Sequence, residues 1–183
     1  PQCEEFLRGE ADAWFARNYS HFKVSPARRL LGEWCNPHKN DVGKILEIGA
    51  GNGIPLAYMC NVLDAQGIGI EPSQKAVKNW SLLCKDVAGG ARTSLLRGLA
   101  TELPFEDKSF DLVILGGVLV LIDRSLLYQA IAEADRVLRD GGFLCIDDFD
   151  VSAPYSNPYH HKEGLFSFKG DYPNIFLSSG HYH

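Results

Sequence analysis

A short apolar strand, a turn containing three glycines and the start of a helix follow one another in residues 44–55. Residues 45–48 are apolar except for Glu47, and glycines occupy positions 49, 51 and 53. Pro55 suits the first turn of a helix, where its missing N–H needs no partner. Glycines let the backbone approach a ligand closely, and a helix start offers free N–H groups. The stretch therefore predicts an α/β fold with a ligand site at this turn, although a purely structural turn remains an alternative.

The spacing of the glycines argues against a dinucleotide site. The pattern G-x-G-x-x-G, counted from Gly49, needs a glycine at position 54, which is Ile54. A dehydrogenase is therefore the least favoured interpretation.

A second strand, residues 67–71, ends in the acid Glu71. The pattern Glu-x-Gly-x-Gly-x-Gly from Glu47, with an acid ending the next strand, resembles the class I S-adenosylmethionine-dependent methyltransferases, in particular the small-molecule, type 11-like domains. The resemblance covers about residues 42–149.

Strands and helical patterns alternate five times along this part of the chain, which predicts parallel βαβ units covered on both faces. The remaining predicted strands are residues 93–96, 111–115 and 143–147. Asp123 is expected to cap a helix over residues 124–139. The resemblance implies a Rossmann-like, doubly wound, mostly parallel sheet with strand order 3-2-1-4-5.

We expect a single domain, 1–183, with three parts. Residues 1–41 form an N-terminal helical cap, containing a helix over 3–17 and a second helix that starts at Pro26 after the N-cap Ser25. Residues 42–149 form the cofactor-binding core, and residues 150–183 form a C-terminal segment on the substrate side. Segments 166–169 and 175–178 are candidates for an antiparallel C-terminal hairpin, and the family usually adds more chain here, so truncation is an open alternative.

Composition is that of an ordinary globular chain, with 45% hydrophobic and 22% charged residues. The net charge of −5 makes a nucleic-acid partner unlikely, and we find neither a signal peptide nor an apolar run of membrane-spanning length. The five cysteines include no C-x-x-C pair, which favours reduced thiols and a cytoplasmic location over a zinc site or disulfides. The oligomeric state is left open.

The resemblance implies a set of cofactor contacts for S-adenosylmethionine and its product S-adenosylhomocysteine. Glu47 is implied to act near the methionine ammonium, Gly49 and Gly51 to let the backbone touch the ligand, and Glu71 to accept hydrogen bonds from the ribose hydroxyls. The further cofactor-binding candidates are Pro72, Ala100, Thr101, Leu115 and Gly116.

Two departures from the family bear on the adenine and on the acceptor. Leu99 stands where the family usually has an Asp that receives the adenine amino protons, so Thr101 or a backbone carbonyl would make that contact. At the end of strand four, residues 115–118 read Leu-Gly-Gly-Val, without the Asn/Asp-Pro-Pro-Tyr or Pro-Cys motifs of base and amide methyltransferases. A small-molecule acceptor, with oxygen as the methylated atom, is the leading interpretation.

A methyl acceptor that reacts through oxygen needs a base. The candidates are Asp148 at the end of strand five and the pair His160 and His161, with a solvated strand-end acid and a polar loop as the respective alternatives. Tyr155 and Tyr159 are expected to bind the acceptor.

Tyr19, together with His21, is expected to close over the site from the N-terminal cap. Metal binding by the acids around Asp148 with His160 has no supporting spacing, so no metal is predicted. The rivals to small-molecule methylation are methylation of a protein or RNA, and a catalytically degenerate, methyltransferase-like binding subunit.

Overall fold

The computed structural model describes residues 2–19, 23–149 and 151–183. At its centre is a parallel sheet of five strands in the order β3-β2-β1-β4-β5, which confirms the expected fold. The strands of this sheet are β1 (Lys44–Ile48), β2 (Gln66–Glu71), β3 (Thr93–Arg97), β4 (Phe110–Gly116) and β5 (Leu138–Asp147). The helices are α1 (Gln2–Glu5), a π-helical turn (Phe6–Glu10), α2 (Ala11–Asn18), α3 (Pro26–Cys35), α4 (Ile54–Leu63), α5 (Gln74–Leu83), α6 (Leu127–Val137) and α7 (Tyr172–Leu177).

Side chains of β1 alternate between two cores because successive residues of a strand point to opposite faces. Leu46 and Ile48 pack in the core that includes Ala130 of α6, whereas Ile45 packs in the core that includes Leu56 of α4. Both faces of the sheet are therefore covered, and β1 is buried along almost its whole length.

The register of the strands brings three sequence positions to one edge of the sheet. Ile48 of β1 lies opposite Ile70 of β2 and Leu115 of β4. The next residues along the three strands are Gly49, Glu71 and Gly116, so they meet at the carboxyl edge, where open α/β sheets bind ligands.

The N-terminal helix predicted over 3–17 is present, but as three consecutive pieces from Gln2 to Asn18 with non-helical dihedrals at Gly9. Ser25 caps α3 as predicted, because its hydroxyl accepts a hydrogen bond of 3.0 Å from the N–H of Arg28. After α3, a 3-10 helix (Asn36–Asp41) leads towards β1.

Asp123 does not cap α6. The helix begins at Leu127 with no side-chain cap, and the Asp123 carboxylate instead accepts the N–H of Cys3 at 3.2 Å. A contact between residues 120 positions apart thus replaces the local one.

The C-terminal segment contains an antiparallel hairpin, but one of its two predicted strands was wrong. β7 (Phe166–Lys169) pairs with β6 (Tyr155–Pro158) in a separate two-stranded sheet. Residues 175–178, predicted as a strand, belong largely to α7, because Asp171 accepts the N–H of Asn174 and caps a helix there.

None of the helices within the described residues has both the length and the apolar character needed to cross a bilayer. All five cysteines are free thiols.

Candidate functional site

A cleft that is partly open to solvent lies at the carboxyl edge of β1, β2 and β4 under the N-terminal helix. Its floor comes from strand ends and the loops that leave them, and its roof comes from side chains between Cys3 and Trp14. The lining residues are Cys3, Phe6, Ala11, Trp14, Ile48, Gly49, Ile70, Glu71, Pro72, Gly98, Leu99, Ala100, Thr101, Gly116, Gly117, Val118, Leu121 and Ile122. The wall is mainly apolar, which suits a ligand with a flat organic ring.

In the turn after β1, Gly49 and Gly53 are each required for a different steric reason. Gly49 has φ 80°, and a Cβ there would lie 3.1 Å from the carbonyl oxygen of Gly116 and 3.2 Å from Cβ of Val118. At Gly53, a Cβ would approach the ring of Trp80 to 2.7 Å. A side chain at position 49 would therefore crowd the end of β4 beside the cleft. A side chain at position 53 would clash with Trp80 where α4 begins.

The carboxylate of Glu71 is buried, with 6% of the residue exposed. Its Oε2 accepts the N–H of Gly51 and its Oε1 accepts the N–H of Ser73, both at 2.9 Å. Burial raises the pKa of Glu71 to about 7, against the opposing effect of these two hydrogen bonds. Each oxygen keeps a lone pair, so this carboxylate can accept two hydroxyl protons of a diol at the rim of the turn.

Glu47 lies beneath the floor and forms an ion pair that the sequence did not indicate. Its Oε1 is 2.6 Å from Nη2 of Arg28, which comes from α3 of the cap. Burial raises the pKa of Glu47, and the Arg28 guanidinium opposes that rise. The signal available in the sequence was the Ser25 cap, which places Arg28 in the first turn of α3.

The loop after β3 supplies one wall of the cleft. Leu99, Ala100 and Thr101 line it, with Ala100 buried, and the carbonyl oxygen of Thr101 accepts the side-chain amide of Gln129 at 2.9 Å. The N–H of Leu103 donates to Glu133 Oε2 at 2.6 Å. Arg136 bonds both Glu133 and the carbonyl oxygens of Leu103 and Phe105. These anchors, Gln129, Glu133 and Arg136, were missed because their partners lie about 30 positions away.

The remaining cofactor candidates are placed differently from one another. Pro72 and Gly116 line the cleft. Gly51 is not a lining residue, but its N–H donates a hydrogen bond to Glu71, which does line the cleft. Leu115 is completely buried in the core below the floor, and it is not among the lining residues.

The roof is held by polar contacts from the N-terminal helix to the rest of the fold. The side chain of Gln2 donates to the carbonyl oxygens of Leu121 and Phe166 and accepts the N–H of Phe166, at 2.7–2.8 Å. Asp12 accepts the hydroxyl of Ser73 at 2.7 Å, next to Glu71. Ala11 and Trp14 of this helix line the cleft.

The structure does not bring the proposed bases to the cleft. Asp148 is half-buried, and its carboxylate accepts the N–H groups of Val120 at 3.2 Å and Phe149 at 2.8 Å. Burial raises the pKa of Asp148, and these hydrogen bonds oppose the rise. His160 and His161 are exposed on the hairpin turn, where the ring of His161 packs edge-on against Tyr159. None of the three lines the cleft.

None of the tyrosines proposed for the acceptor lines the cleft. Tyr159 packs against the roof residue Phe6, and its hydroxyl donates to Glu10 at 3.1 Å and accepts from Arg17. Tyr155 and Tyr19 are about half exposed on the surface. His21 lies outside the described residues. Within those residues no group of three potential metal ligands occurs.

Comparison with known proteins gives the same family as the sequence motifs. Residues 46–146, more than half of the chain, match the family described as Methyltransferase domain. The chain is 36% identical over 107 residues to the 27-O-demethylrifamycin SV methyltransferase of Amycolatopsis mediterranei, a match that covers 58% of this chain and 38% of that protein. It is 31% identical over 115 residues to an O-methyltransferase of Aspergillus sclerotiorum, covering 62% of this chain and 42% of the relative.

The fold also resembles that of the Burkholderia thailandensis 1,6-didemethyltoxoflavin-N1-methyltransferase, solved with 1,6-didemethyltoxoflavin and S-adenosylhomocysteine. The two agree with a TM-score of 0.76 over 97% of this chain and 76% of that one, at 17% identity. The matched segments span less than half the length of the two curated relatives. By its sequence match and its fold, the chain belongs to the methyltransferase-domain family of class I S-adenosylmethionine-dependent methyltransferases.

Proposed function

We propose that this protein transfers a methyl group from S-adenosylmethionine to a small-molecule acceptor, with an oxygen as the methylated atom. The observation that carries the proposal is the buried carboxylate of Glu71, fixed by the N–H groups of Gly51 and Ser73 at the glycine turn. That arrangement suits a ribose diol, and the apolar wall beside it suits an adenine.

The chain's own residues would bind and orient the two reactants. Glu71 would hold the ribose, Gly49 and Gly116 would let the ligand lie close to the strand ends, and Ala100 would offer its backbone N–H to the adenine. The bound cofactor supplies a methyl group that its sulfonium already activates for in-line displacement. The protein's further contribution is therefore alignment of the nucleophile and exclusion of water.

The roof of the cleft supports the exclusion of water. Phe6 and Trp14 lie over the strand ends, and Val118 and Leu121 border them from the loop after β4. An acceptor that enters beside these side chains would meet the methyl group in an apolar environment. Small, organic and uncharged acceptors fit this environment best.

The choice of oxygen rests on the relatives rather than on the cleft. The Amycolatopsis and Aspergillus proteins are named for methylation of 27-O-demethylrifamycin SV and for O-methylation, whereas the Burkholderia enzyme is named for N1. Asp148, His160 and His161 stay hypotheses for the base, and Tyr19, Tyr155 and Tyr159 for acceptor contacts. A nucleic-acid partner stays unlikely given the charge of −5. A cytoplasmic location also stays a prediction.

The test is transfer of a labelled methyl group from S-adenosylmethionine to a panel of small phenols, alcohols and amines. The proposal predicts labelled product with a hydroxyl acceptor, and loss of the product in Glu71→Ala. Labelled product from amines alone would assign nitrogen, not oxygen, as the methylated atom. If the protein binds the cofactor tightly but transfers the methyl group to no small acceptor, protein or RNA, the result would favour a degenerate binding subunit.

A further inference from the structure

The turn of the C-terminal hairpin, residues 159–165 between β6 and β7, packs against the roof of the cleft. Leu165 is buried in a small core with Phe6 and Ala11, two roof residues that also line the cleft. Tyr159 packs on the same core, and its ring centroid lies 6.1 Å from that of Phe6. The same roof side chains therefore contact the hairpin turn and border the cleft.

Polar contacts join the hairpin turn and the roof beside this core. The carboxylate of Glu10, which is 5% exposed, accepts hydrogen bonds from the hydroxyl of Tyr159 at 3.1 Å and from Arg17 at 2.5 Å. Arg17 also donates to the Tyr159 hydroxyl at 3.1 Å, so each of the three groups bonds the other two. Burial and the neighbouring Glu10 raise the pKa of Tyr159 to about 12, so the hydroxyl keeps its proton at neutral pH. Lys162 adds an ion pair of 2.6 Å with Glu5.

The other side of the hairpin is attached to the segment that follows β4. The guanidinium of Arg124 lies over the ring of Phe168 in β7, 4.5 Å from its centroid. The hydroxyl of the buried Tyr172 hydrogen-bonds the carbonyl oxygens of Phe168 and Leu119. The hairpin is therefore fixed to the body of the fold and can support the roof.

We propose that Tyr159 is a positioning residue for the cofactor, which holds the roof over the cleft through Glu10 and Phe6 and so slows release of the cofactor. In this role Tyr159 acts through the roof and touches neither the cofactor nor the acceptor. Retention of the cofactor would then depend on the C-terminal segment, which the sequence had assigned to the acceptor. The inference rests on the proposed function.

Two rival roles for Tyr159 lead to different expectations. If Tyr159 binds the acceptor, loss of its hydroxyl raises the KM for the acceptor and leaves release of the cofactor unchanged. If Tyr159 only stabilises the hairpin, loss of the hydroxyl loosens residues 155–169 but not the roof. The experiment must therefore observe the cofactor, the roof and the hairpin separately.

The dissociation rate of labelled S-adenosylhomocysteine would be measured by rapid mixing with an excess of the unlabelled compound. Tyr159→Phe removes the hydroxyl and keeps a ring against Phe6. Lys162→Met removes the ion pair with Glu5, and Glu163→Gln is the control, because Glu163 is exposed on the same turn. Amide hydrogen exchange of the same proteins reports opening of residues 2–18 and of residues 155–169 separately.

Tyr159→Phe should release S-adenosylhomocysteine about tenfold faster or more, because a hydrogen bond to a buried charged group is worth about that factor. Its roof amides, residues 2–18, should exchange faster, while those of β1 and β4 stay unchanged. Lys162→Met should accelerate release less than about threefold, since the ion pair with Glu5 is partly exposed. Glu163→Gln should match the wild type in both measurements.

An unchanged dissociation rate in folded Tyr159→Phe would overturn the inference, whatever the exchange of the hairpin. Faster release with equally faster exchange in β1 and β4 would indicate general loss of stability and would overturn it too. Glu10→Gln weakens the same contact from the roof, so it provides the test if Tyr159→Phe does not fold, and release at the wild-type rate would again overturn the inference. A wild type that does not bind S-adenosylhomocysteine would overturn the proposed function as well, which is distinct from binding with unchanged release.

Discussion

Cofactor affinity should depend on pH through Glu71. Its carboxylate is 6% exposed, and burial raises its pKa from 4.5 to about 7. Only the ionised carboxylate can accept both ribose hydroxyls, so binding must take place from the deprotonated form. The apparent dissociation constant then scales as 1 + 10^(pKa − pH), which is about 11 at pH 6 and about 1.1 at pH 8. Affinity for S-adenosylhomocysteine should therefore fall about tenfold, or about 1.4 kcal/mol, between pH 8 and pH 6.

The raised pKa of Glu71 also makes the free energy of unfolding depend on pH. The folded state binds a proton at Glu71 more tightly than the unfolded state does, so between about pH 4.5 and 7 it holds more protons. The contribution of Glu71 to the free energy of unfolding is thus highest below about pH 4.5 and falls by about 3 kcal/mol as the pH rises to about 7. Cofactor binding to the ionised form should recover part of that loss, which thermal unfolding with and without ligand would measure.

The control for both effects is Glu71→Ala. It should weaken S-adenosylhomocysteine binding by roughly 1.5–3 kcal/mol and remove the pH dependence, whereas the exposed Glu106→Ala should change neither. Calorimetry at pH 6, 7 and 8, with circular dichroism to verify the fold, gives the profiles. A flat profile in the wild type, or the same slope in Glu71→Ala, would refute the assignment of Glu71 as the ribose ligand.

The other variants probe the turn and the proposed bases. Gly51→Val should abolish S-adenosylhomocysteine binding in calorimetry while the circular dichroism spectrum is retained, because the branched side chain would intrude on the ligand. The φ of Gly51 is 54°, so a non-glycine residue there also costs about 1–2 kcal/mol of backbone strain. A folded variant that still binds the ligand would show that the turn is purely structural. The combined His160→Ala and His161→Ala variant should keep turnover and cofactor affinity within about threefold, since both rings are exposed outside the cleft. Loss of turnover alone would support the hypothesis that one of them is the base. Asp148→Asn should lower the free energy of unfolding by about 1–3 kcal/mol, because one of the two backbone N–H groups loses its acceptor. It should leave cofactor affinity unchanged. A selective loss of turnover with unchanged stability would support Asp148 as the base.

The centre of the fold could be predicted from sequence because its signals are local. Apolar runs, the glycine turn and Pro55 define β1 and α4 within about 20 residues, and the family resemblance then gave the order of the sheet. Glu71 followed from the same pattern. Its raised pKa did not, because burial depends on the whole fold.

Contacts between distant parts of the chain account for what sequence patterns missed. Asp123 had the features of a helix cap, yet it bonds Cys3, because the N-terminal helix folds over the cleft. Arg28 looked like one more charged residue of a surface helix, and only the tertiary fold shows that it is buried against Glu47. The helix α7 was predictable in principle, since Asp171 followed by Pro173 is a helix-start signal.

The most direct test of the account is a calorimetric titration of the wild-type protein with S-adenosylmethionine, S-adenosylhomocysteine and NADH at pH 8. The cleft with Glu71 at its rim predicts saturable binding of the first two at one site per chain, with competition between them. It predicts no competition by NADH, because the glycine spacing lacks the third position of a dinucleotide turn. Binding of NADH, or no binding of either S-adenosyl compound to the folded protein, would contradict the central claim.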